Sequence, residues 1–337
     1  DDERGVTAIE CGGCVSLSAG RSGIFFASDG SQGSLSAEAY ALALARLWSA
    51  SLTVLHVLEF PSGLDAENPV NRLYLAELMK QATQELVELK ARAAGRGISA
   101  ETKIVTGIPS EEVLAVATGE EPDLIVVGTR GKTGLAHVLL GSTAERIIRA
   151  APCPVLAVRA GVQEDKGKGG PLRSSLSIER ILVPIDFSDC SLDALEYGAL
   201  IAQRSKASIR LFHVLEPVSY GLDFTLPHVA KRDYDQTAIT KRLSDITAAL
   251  TSTGLVSDFV LCGGLPADSI LNAAEAPDVG LVVMGTHGRR GVSHALHGSV
   301  AEFVLRKSSC PVLTVRSPTF HRGHRPVLIR QSMPGNV

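Results

Sequence analysis

The sequence predicts an α/β protein made of two tandem doubly wound domains, each a parallel sheet with helices on both faces. Three observations lead to this prediction: the chain of 337 residues repeats itself, strands alternate with helices in each copy, and the predicted strands are continuously apolar. Since 337 residues exceed what one ordinary core accommodates, two domains are also expected from length alone.

The repeat is clearest near the end of each copy. The 36 residues from Leu124 match the 36 residues from Leu281 without a gap, and 19 of these positions are identical. The offset of 157 residues also aligns Ile24 with Ile181. A tandem duplication is therefore predicted. It divides the chain into an N-terminal extension, a first domain, a linker, a second domain and a C-terminal tail: residues 1–21, 22–160, 161–178, 179–317 and 318–337.

The elements of the first copy follow one another as strand and helix. Short apolar segments predict strands over residues 24–28, 52–58, 101–105, 124–127 and 155–158. Helices are predicted over residues 35–48, 74–94, 110–118 and 142–150. In the second of these helices the expected core positions at helical spacing are Leu75, Leu78, Ala82, Leu86 and Leu89. Strict alternation, with strands such as LIVV that are apolar throughout, is typical of a parallel sheet buried on both faces.

Composition and charge restrict the class of protein. A hydrophobic fraction of 45% and a net charge of −3 are ordinary for a globular protein, and they favour neither a nucleic-acid nor a membrane partner. No apolar run reaches the roughly 18 to 20 residues of a membrane span, so a cytoplasmic location is expected. Six cysteines in this length do not form a disulfide scaffold, and reduced thiols are expected.

A glycine-rich stretch follows the fourth strand of each copy and has the same spacing twice. The pattern Gly-x2-Gly-x9-Gly-Ser is formed by Gly128, Gly131, Gly141 and Ser142, and again by Gly285, Gly288, Gly298 and Ser299. Ligands of doubly wound sheets bind beyond the carboxyl ends of the strands, where this stretch lies. Glycines there allow amides to point at an anion, and the helix that begins at the Gly-Ser pair attracts phosphate.

Other interpretations of this stretch are possible. The glycines can serve only as turns, and the serines either cap the helix or donate to a phosphate oxygen. The identical spacing in two diverged copies favours a ligand. Basic side chains inside the stretch would add positive charge: Arg130 and Lys132 in one copy, Arg289 and Arg290 in the other. The order of a P-loop is absent.

An aspartate ends the first strand of each copy. Asp29 and Asp186 can accept hydrogen bonds from a ribose hydroxyl or an adenine amino group, or they can begin a turn with Ser31 and Ser188. Because the glycine stretch is present in the same copy, ligand contact is favoured.

Together these motifs resemble the universal stress protein family in a tandem form. The resemblance is carried by the aspartate, by LHV in the second strand, by Gly-x-Pro at Gly107 and Gly264, and by the segment VGTRG...GS...CPVLAV. It covers nearly all of residues 22–160 and 179–317. Family members that bind ATP carry the glycine motif. The resemblance implies a five-stranded sheet in the order 3-2-1-4-5 in each domain, with an adenine nucleotide in the crevice.

The resemblance also implies the contacts of that nucleotide. Both aspartates and the backbone of Val57 and Val214 would lie at the adenosine end, the first two glycines at the ribose and α-phosphate, and the Gly-Ser pair at the outer phosphates. The implied nucleotide-binding residues are Asp29, Val57, Gly128, Arg130, Gly131, Lys132, Gly141, Ser142 and Thr143 in the first copy. In the second copy they are Pro184, Asp186, Val214, Gly285, His287, Gly288, Arg289, Gly298, Ser299 and Val300. ATP, with or without Mg²⁺, is the implied cofactor.

Last strands in this family commonly pair across a dimer interface. Residues 155–158 and 312–315 are therefore expected to pair within this chain as a pseudo-dimer, while a homodimer and a signalling partner stay open.

The two copies differ from each other, and from the family pattern, at three positions near the site. Ala27 stands where the second copy has Pro184, Arg290 stands where the first copy has Thr133, and His297 stands where the first copy has Leu140. The second site is expected to differ in affinity or in the phosphate state that it prefers.

Three functions remain open from the sequence. The first is an ATP-binding stress-response or signalling protein in which the nucleotide acts as a switch; the second is a slow ATPase; the third is a scaffold with empty sites. No catalytic residue is assigned, because neither a Walker lysine nor a repeated second carboxylate for a metal is found.

Other histidines and cysteines are interpreted as structural. Two histidines recur in both copies, and an acid-base role is conceivable for them. The favoured interpretation is structural: His56 and His213 lie within a buried strand, and His137 and His294 lie on the loop before the last helix. Cys11 and Cys14 form a CxxC that nothing completes, so no zinc is expected. Cys153 and Cys310 are expected to be small core residues.

Overall fold

A computed structural model of the chain describes residues 23–59, 68–129, 140–159, 178–216, 227–287 and 298–316. In these residues strands and helices alternate within each repeat. The first repeat contains β1 (Gly23–Ser28), α1 (Gln32–Trp48), β2 (Ser51–Leu58), α2 (Pro69–Ala94), β3 (Ala100–Thr106), α3 (Pro109–Glu120), β4 (Leu124–Gly128), α4 (Ser142–Ala150) and β5 (Val155–Val158). The second contains β6 (Arg180–Pro184), α5 (Asp189–Ser205), β7 (Ser208–Leu215), α6 (Pro227–Ser252), β8 (Ser257–Gly263), α7 (Pro266–Ala274), β9 (Val279–Gly285), α8 (Ser299–Lys307) and β10 (Val312–Val315).

The strands form one sheet in the order β3-β2-β1-β4-β5-β10-β9-β6-β7-β8. Within each repeat all neighbours are parallel, and the order is 3-2-1-4-5 when the strands are numbered along that repeat. The predicted fold class and strand order are therefore confirmed.

The two repeats join through their last strands, which pair antiparallel. Leu156 of β5 lies opposite Leu313 of β10, and the Thr314 hydroxyl donates to the Val155 carbonyl at 3.2 Å. The expected pairing within one chain is thus present. Arginines extend it on both sides, because Arg316 donates to the Arg149 carbonyl at 2.9 Å and Arg159 donates to the Lys307 carbonyl at 3.5 Å.

Both faces of the sheet are covered by helices. Helices α1, α2, α5 and α6 share one apolar core with residues such as Phe26 and Val126, while α3, α4, α7 and α8 share the other with Phe25 and Ile125. Adjacent residues of a strand point to opposite faces, so Phe25 and Phe26 of β1 lie in different cores, as do Ile125 and Val126 of β4. The continuously apolar strands of the sequence are explained by this double burial.

One prediction about α2 was wrong. The helix begins at Pro69, earlier than the predicted residue 74, because the Asn68 side chain accepts from the Val70 amide at 3.0 Å and Pro69 suits the first helical position. The predicted core positions Leu75 and Leu78 are only half-buried. The buried residues of this helix are Ala82, Leu86, Leu89 and Ala93.

The start of α2 instead has exposed apolar side chains, among them Val70 at 73% and Leu73 at 74% exposure. In the described ranges no helix has the length and the apolar character that crossing a bilayer requires.

The joint between the repeats predicts energetic coupling. Leu156 and Leu313 are each 2% exposed and face each other across the joint. Leu156→Ala or Leu313→Ala is expected to lower the free energy of unfolding by about 2 to 5 kcal/mol in urea denaturation, because each leaves a cavity. The double variant should lose less free energy of unfolding than the sum of the two single losses, since both truncations open the same space. Leu89→Ala, on a helix away from the joint, is the control and should add to Leu313→Ala; additive effects of Leu156 and Leu313 would contradict this packing.

Candidate functional site

Three of the predicted site residues of the first repeat, Asp29, Gly128 and Gly141, lie at the carboxyl ends of the strands. β1 lies between β2 and β4 in the sheet, and the chain leaves β1 toward α1 on one face and β4 toward α4 on the other. This divergence opens a crevice at the strand ends, as in other doubly wound sheets. Asp29 and Gly128 stand at the ends of its two central strands, and Gly141 begins α4 beside them.

Asp29 and Asp186 form turns with Ser31 and Ser188, which was one of the two alternatives that the sequence left open. Asp29 Oδ1 accepts from the Ser31 amide at 3.0 Å, and Asp186 Oδ1 accepts from the Ser188 amide at 3.0 Å. The two serines in turn cap α1 and α5 through their hydroxyls. The carboxylates therefore orient the entry into these helices, and contact with a ligand stays a prediction.

The first glycine of the motif is required by packing. A Cβ on Gly128 would lie 2.8 Å from the backbone carbon and oxygen of Gly33, and one on Gly285 would lie 2.8 Å from the backbone carbon of Cys190. Such contacts are far inside van der Waals distance, so α1 and α5 can approach the strand ends only over glycine. The sequence led us to assign these glycines to contact with a ribose and an α-phosphate, and it did not predict their close packing against α1 and α5. The one sequence feature that could have indicated this packing is a second glycine, Gly33, at the contact point on α1.

The third glycine of the motif has a different environment. Gly141 has φ −71° and ψ 149°, and Gly298 has φ −62° and ψ 137°, which any residue adopts. A Cβ on Gly141 would approach one described atom, the Thr129 carbonyl oxygen, at 3.4 Å. Neither backbone conformation nor packing within the described chain therefore calls for glycine at position 141.

Helices α4 and α8 begin at these glycines without a side-chain cap. Gly141 and Gly298 are the N-cap residues, and Ser142 and Ser299 are exposed first helical residues, so the interpretation of the serines as caps was wrong. The amides of Gly141 and Gly298 donate to the carbonyls of Thr129 and Thr286 at 2.8 and 2.7 Å. These two amides are used by the fold, and the amides of the following helical turn are the donors that remain for an anion.

A threonine hydroxyl distinguishes the two repeats at this point. Thr129 is 3% exposed, and its Oγ1 has no hydrogen-bond partner among the described residues. In the second repeat the Thr286 hydroxyl pairs with His287 Nδ1 at 2.9 Å. An uncapped helix start, space at Gly141 and a buried hydroxyl beside it fit the oxygens of a phosphate group.

A carboxylate from α2 packs against the loop that follows Asp29. Gly30 has φ +69°, and a Cβ on it would lie within 2.8 Å of all three atoms of the Glu85 carboxyl group. One of these atoms, Glu85 Oε2, lies 3.9 Å from Nδ1 of His56, which is buried. The absence of a side chain at position 30 therefore makes room for a negative charge under the loop.

A cation from α6 packs against the equivalent loop of the second repeat. Phe187 stands where the first repeat has Gly30 and keeps a positive φ of 64°. Its ring lies 4.3 Å from the Arg242 guanidinium and 5.0 Å from the ring of His213. His213 is buried, and its Nδ1 lies 2.5 Å from the Ile185 carbonyl. Contact with an arginine and a second ring offsets the strain of this backbone conformation. Spacing alone gave no sign of this difference.

The remaining predicted residues divide into two groups. Val57 and Val214 lie near the ends of β2 and β7, Pro184 ends β6, and Thr143 and Val300 are second residues of α4 and α8. Outside the described residues lie Arg130, Gly131, Lys132, Gly288 and Arg289, together with Thr133, His137, Arg290, His294, His297, Cys11 and Cys14.

The buried cysteines match the expectation from sequence. Cys153 and Cys310 lie in the core, and burial raises the pKa of the Cys153 thiol well above its usual range. Within the described ranges, no three histidine, cysteine, aspartate or glutamate side chains are grouped as metal ligands would be.

Comparison with known proteins agrees with this architecture. The model of the universal stress protein family matches residues 22–159 and again residues 177–316. The chain belongs to the universal stress protein family. A universal stress protein of Methanocaldococcus jannaschii is 38% identical over 42% of this chain and 84% of its own length.

Proteins with two repeats match over most of the chain. A universal stress protein of Mycobacterium tuberculosis is 26% identical over 87% of this chain and 97% of its own length. The crystal structure of a universal stress protein from Archaeoglobus fulgidus superimposes with a TM-score of 0.63 at 21% identity, covering 88% of this chain and 98% of that one. The tandem arrangement is therefore shared with other members of the family.

The packing of the first glycine gives a direct test. Gly128→Ala is expected to lower the free energy of unfolding by about 1 to 3 kcal/mol, because the new methyl group meets the backbone of Gly33 and α1 must move. Gly119→Ala in α3 is the matched control. No described atom lies within 4 Å of its Cβ position, so it should be neutral or stabilising. Equal stability of wild type and Gly128→Ala in urea denaturation would refute the packing role.

Proposed function

We propose that this universal stress protein binds an adenine nucleotide, ATP in the first instance, at the crevice of each repeat, and that the bound nucleotide acts as a switch in stress response or signalling. The observation that carries the proposal is Gly141, a glycine that neither its backbone angles nor its packing against the described residues requires. Its counterpart Gly298 occupies the same position, with a similar backbone conformation, in the second repeat. A ligand that approaches the helix start closely accounts for both.

The two ends of the crevice suit different parts of a nucleotide. At one end, the uncapped first turns of α4 and α8 direct amides and the positive end of the helix dipole toward an anion. Ser142 and the buried Thr129 hydroxyl are further donors beside Gly141. At the other end, Asp29 and Asp186 supply carboxylates, which accept hydrogen bonds from hydroxyl or amino groups. Phosphates at the helix start and adenosine near the aspartates match this polarity.

A switch follows if the nucleotide favours one conformation of the segments around it. The helix starts at Gly141 and Gly298 are each tied to a strand end, because Thr129 donates its amide to the Val158 carbonyl and Thr286 donates to the Val315 carbonyl, both at 2.9 Å. Val158 and Val315 end β5 and β10, the strands that join the repeats. A ligand at a helix start is therefore connected by backbone hydrogen bonds to the joint, and its differential affinity can bias the joint.

A substitution that caps the helix tests the phosphate end. Gly141→Asp combined with Gly298→Asp places a carboxylate at each N-cap, where it accepts from the amides assigned to phosphate and repels a phosphate group. We expect the Kd for ATP to rise at least about 100-fold, equivalent to roughly 2.7 kcal/mol, in an equilibrium titration. The melting temperature should stay constant or rise, because aspartate is a better N-cap than glycine.

The control adds the same charge at the other end of a helix. Gly119→Asp changes an exposed residue near the C-terminus of α3, away from the crevice, and should leave the Kd unchanged. Wild-type protein without saturable ATP binding below millimolar concentration would rule out the proposed function. Unchanged affinity and stoichiometry in the double aspartate variant would show that the nucleotide binds elsewhere.

A further inference from the structure

We propose that Ile108 and Leu265 contact the purine base of the bound nucleotide and set the preference of each crevice for a base. The inference rests on the proposed nucleotide function and assigns residues that the glycine motif does not include. Both belong to the Gly-x-Pro motif, which recurs at the offset of 157 residues, as the middle residue. Both are large apolar side chains in an exposed position, at 49% and 62%.

Backbone hydrogen bonds place these residues next to the adenosine end of the crevice. Gly107, which precedes Ile108, donates its amide to the Leu58 carbonyl at 3.1 Å, and Leu58 follows Val57 at the end of β2. In the second repeat Gly264 donates in the same way to the Leu215 carbonyl at 3.1 Å. The motif therefore lies at the carboxyl edge beside β2, which pairs with β1, the strand that Asp29 follows.

The residue type at this position conflicts with local stability. Ile108 is the N-cap of α3 and Leu265 is the N-cap of α7, and neither helix start has a side-chain cap. Isoleucine and leucine are among the poorest N-cap residues, while serine, threonine, aspartate and asparagine are the best. Both repeats thus combine a poor helix cap with an exposed apolar surface. Departures of this kind from local preference are typical of functional positions.

The motif restricts the backbone at the position of the apolar residue. Pro109 and Pro266 at the first helical position restrict the residue before them to an extended conformation, and both N-caps have φ −82° with ψ of 115° and 124°. Gly107 leaves space for the Glu112 side chain of the same helix, whose carboxyl group would collide with a Cβ there. A residue whose backbone is restricted in this way loses less conformational entropy when it contacts a ligand.

The chemistry of the crevice identifies the group that these side chains would meet. A phosphate belongs at the helix starts of α4 and α8, and hydroxyl groups of a ribose belong near the carboxylates of Asp29 and Asp186. The planar face of a purine is the remaining part of the nucleotide, and it gains most from an apolar neighbour. Ile108 and Leu265 provide that neighbour beside Val57 and Val214.

The test replaces both residues by serine. Ile108→Ser with Leu265→Ser removes the apolar contact and supplies a favourable N-cap. We expect the Kd for ATP to rise about tenfold, because a partly buried aliphatic contact with the base is lost. The Kd for inorganic tripolyphosphate, which has no base, should not change. The melting temperature should stay constant or rise, because serine is a better N-cap. A structural defect would lower the melting temperature, whereas a loss of base contact would raise only the Kd for ATP.

Conservative and remote variants complete the design. Ile108→Leu with Leu265→Ile should keep the wild-type Kd for ATP. Val256→Ser, which removes an apolar side chain that is 74% exposed and precedes β8, should also keep it. A serine double variant with wild-type affinity for ATP would overturn the inference while the proposed function stands. An equal loss for ATP and tripolyphosphate would overturn it as well, since the residues would then act on the phosphate end. Wild-type protein that binds no ATP would overturn both.

Discussion

The antiparallel hydrogen bonding between β5 and β10 is the interaction on which the rest of the structure depends. It converts two parallel five-stranded sheets into one sheet and covers two strand edges that would otherwise be open to other chains. It also buries Leu156 against Leu313 and draws Arg316 to the end of α4. Since the carbonyls of Val158 and Val315 at the ends of these strands accept from the amides of Thr129 and Thr286, the joint and both candidate crevices form one hydrogen-bonded framework.

Much of this framework could be predicted from the sequence because it depends on periodicity. The predicted limits of α4 and β5 coincide with the observed ones, and the double burial of the sheet follows from apolar strands such as β4. The start of α2 was missed because the apolar spacing at Leu75 and Leu78 continues beyond the part of the helix that packs on the sheet. Periodicity identifies a face of a helix, whereas the extent of the sheet beneath it depends on tertiary structure.

The site was predicted less completely, because identical residue types serve different purposes there. Gly128 and Gly141 belong to one motif, yet the first is fixed by the backbone of α1 and the second is not fixed by any described neighbour. The sequence contains no distance between Gly128 and Gly33, so the two cases cannot be separated before the fold is known. The Arg242 and Phe187 contact was invisible for the same reason, since 55 residues of chain separate its partners.

The direction of pairing at the joint has a consequence for how the protein meets its surroundings. Because β5 and β10 run in opposite directions, the carboxyl ends of the first five strands and of the second five lie on opposite rims of the sheet. The two candidate crevices therefore open at opposite rims of the sheet. A single chain also keeps both crevices associated at any dilution, whereas a dimer of separate subunits dissociates when it is diluted. It can therefore hold Gly30 with Glu85 on one rim and Phe187 with Arg242 on the other, an inequality that two identical subunits cannot encode.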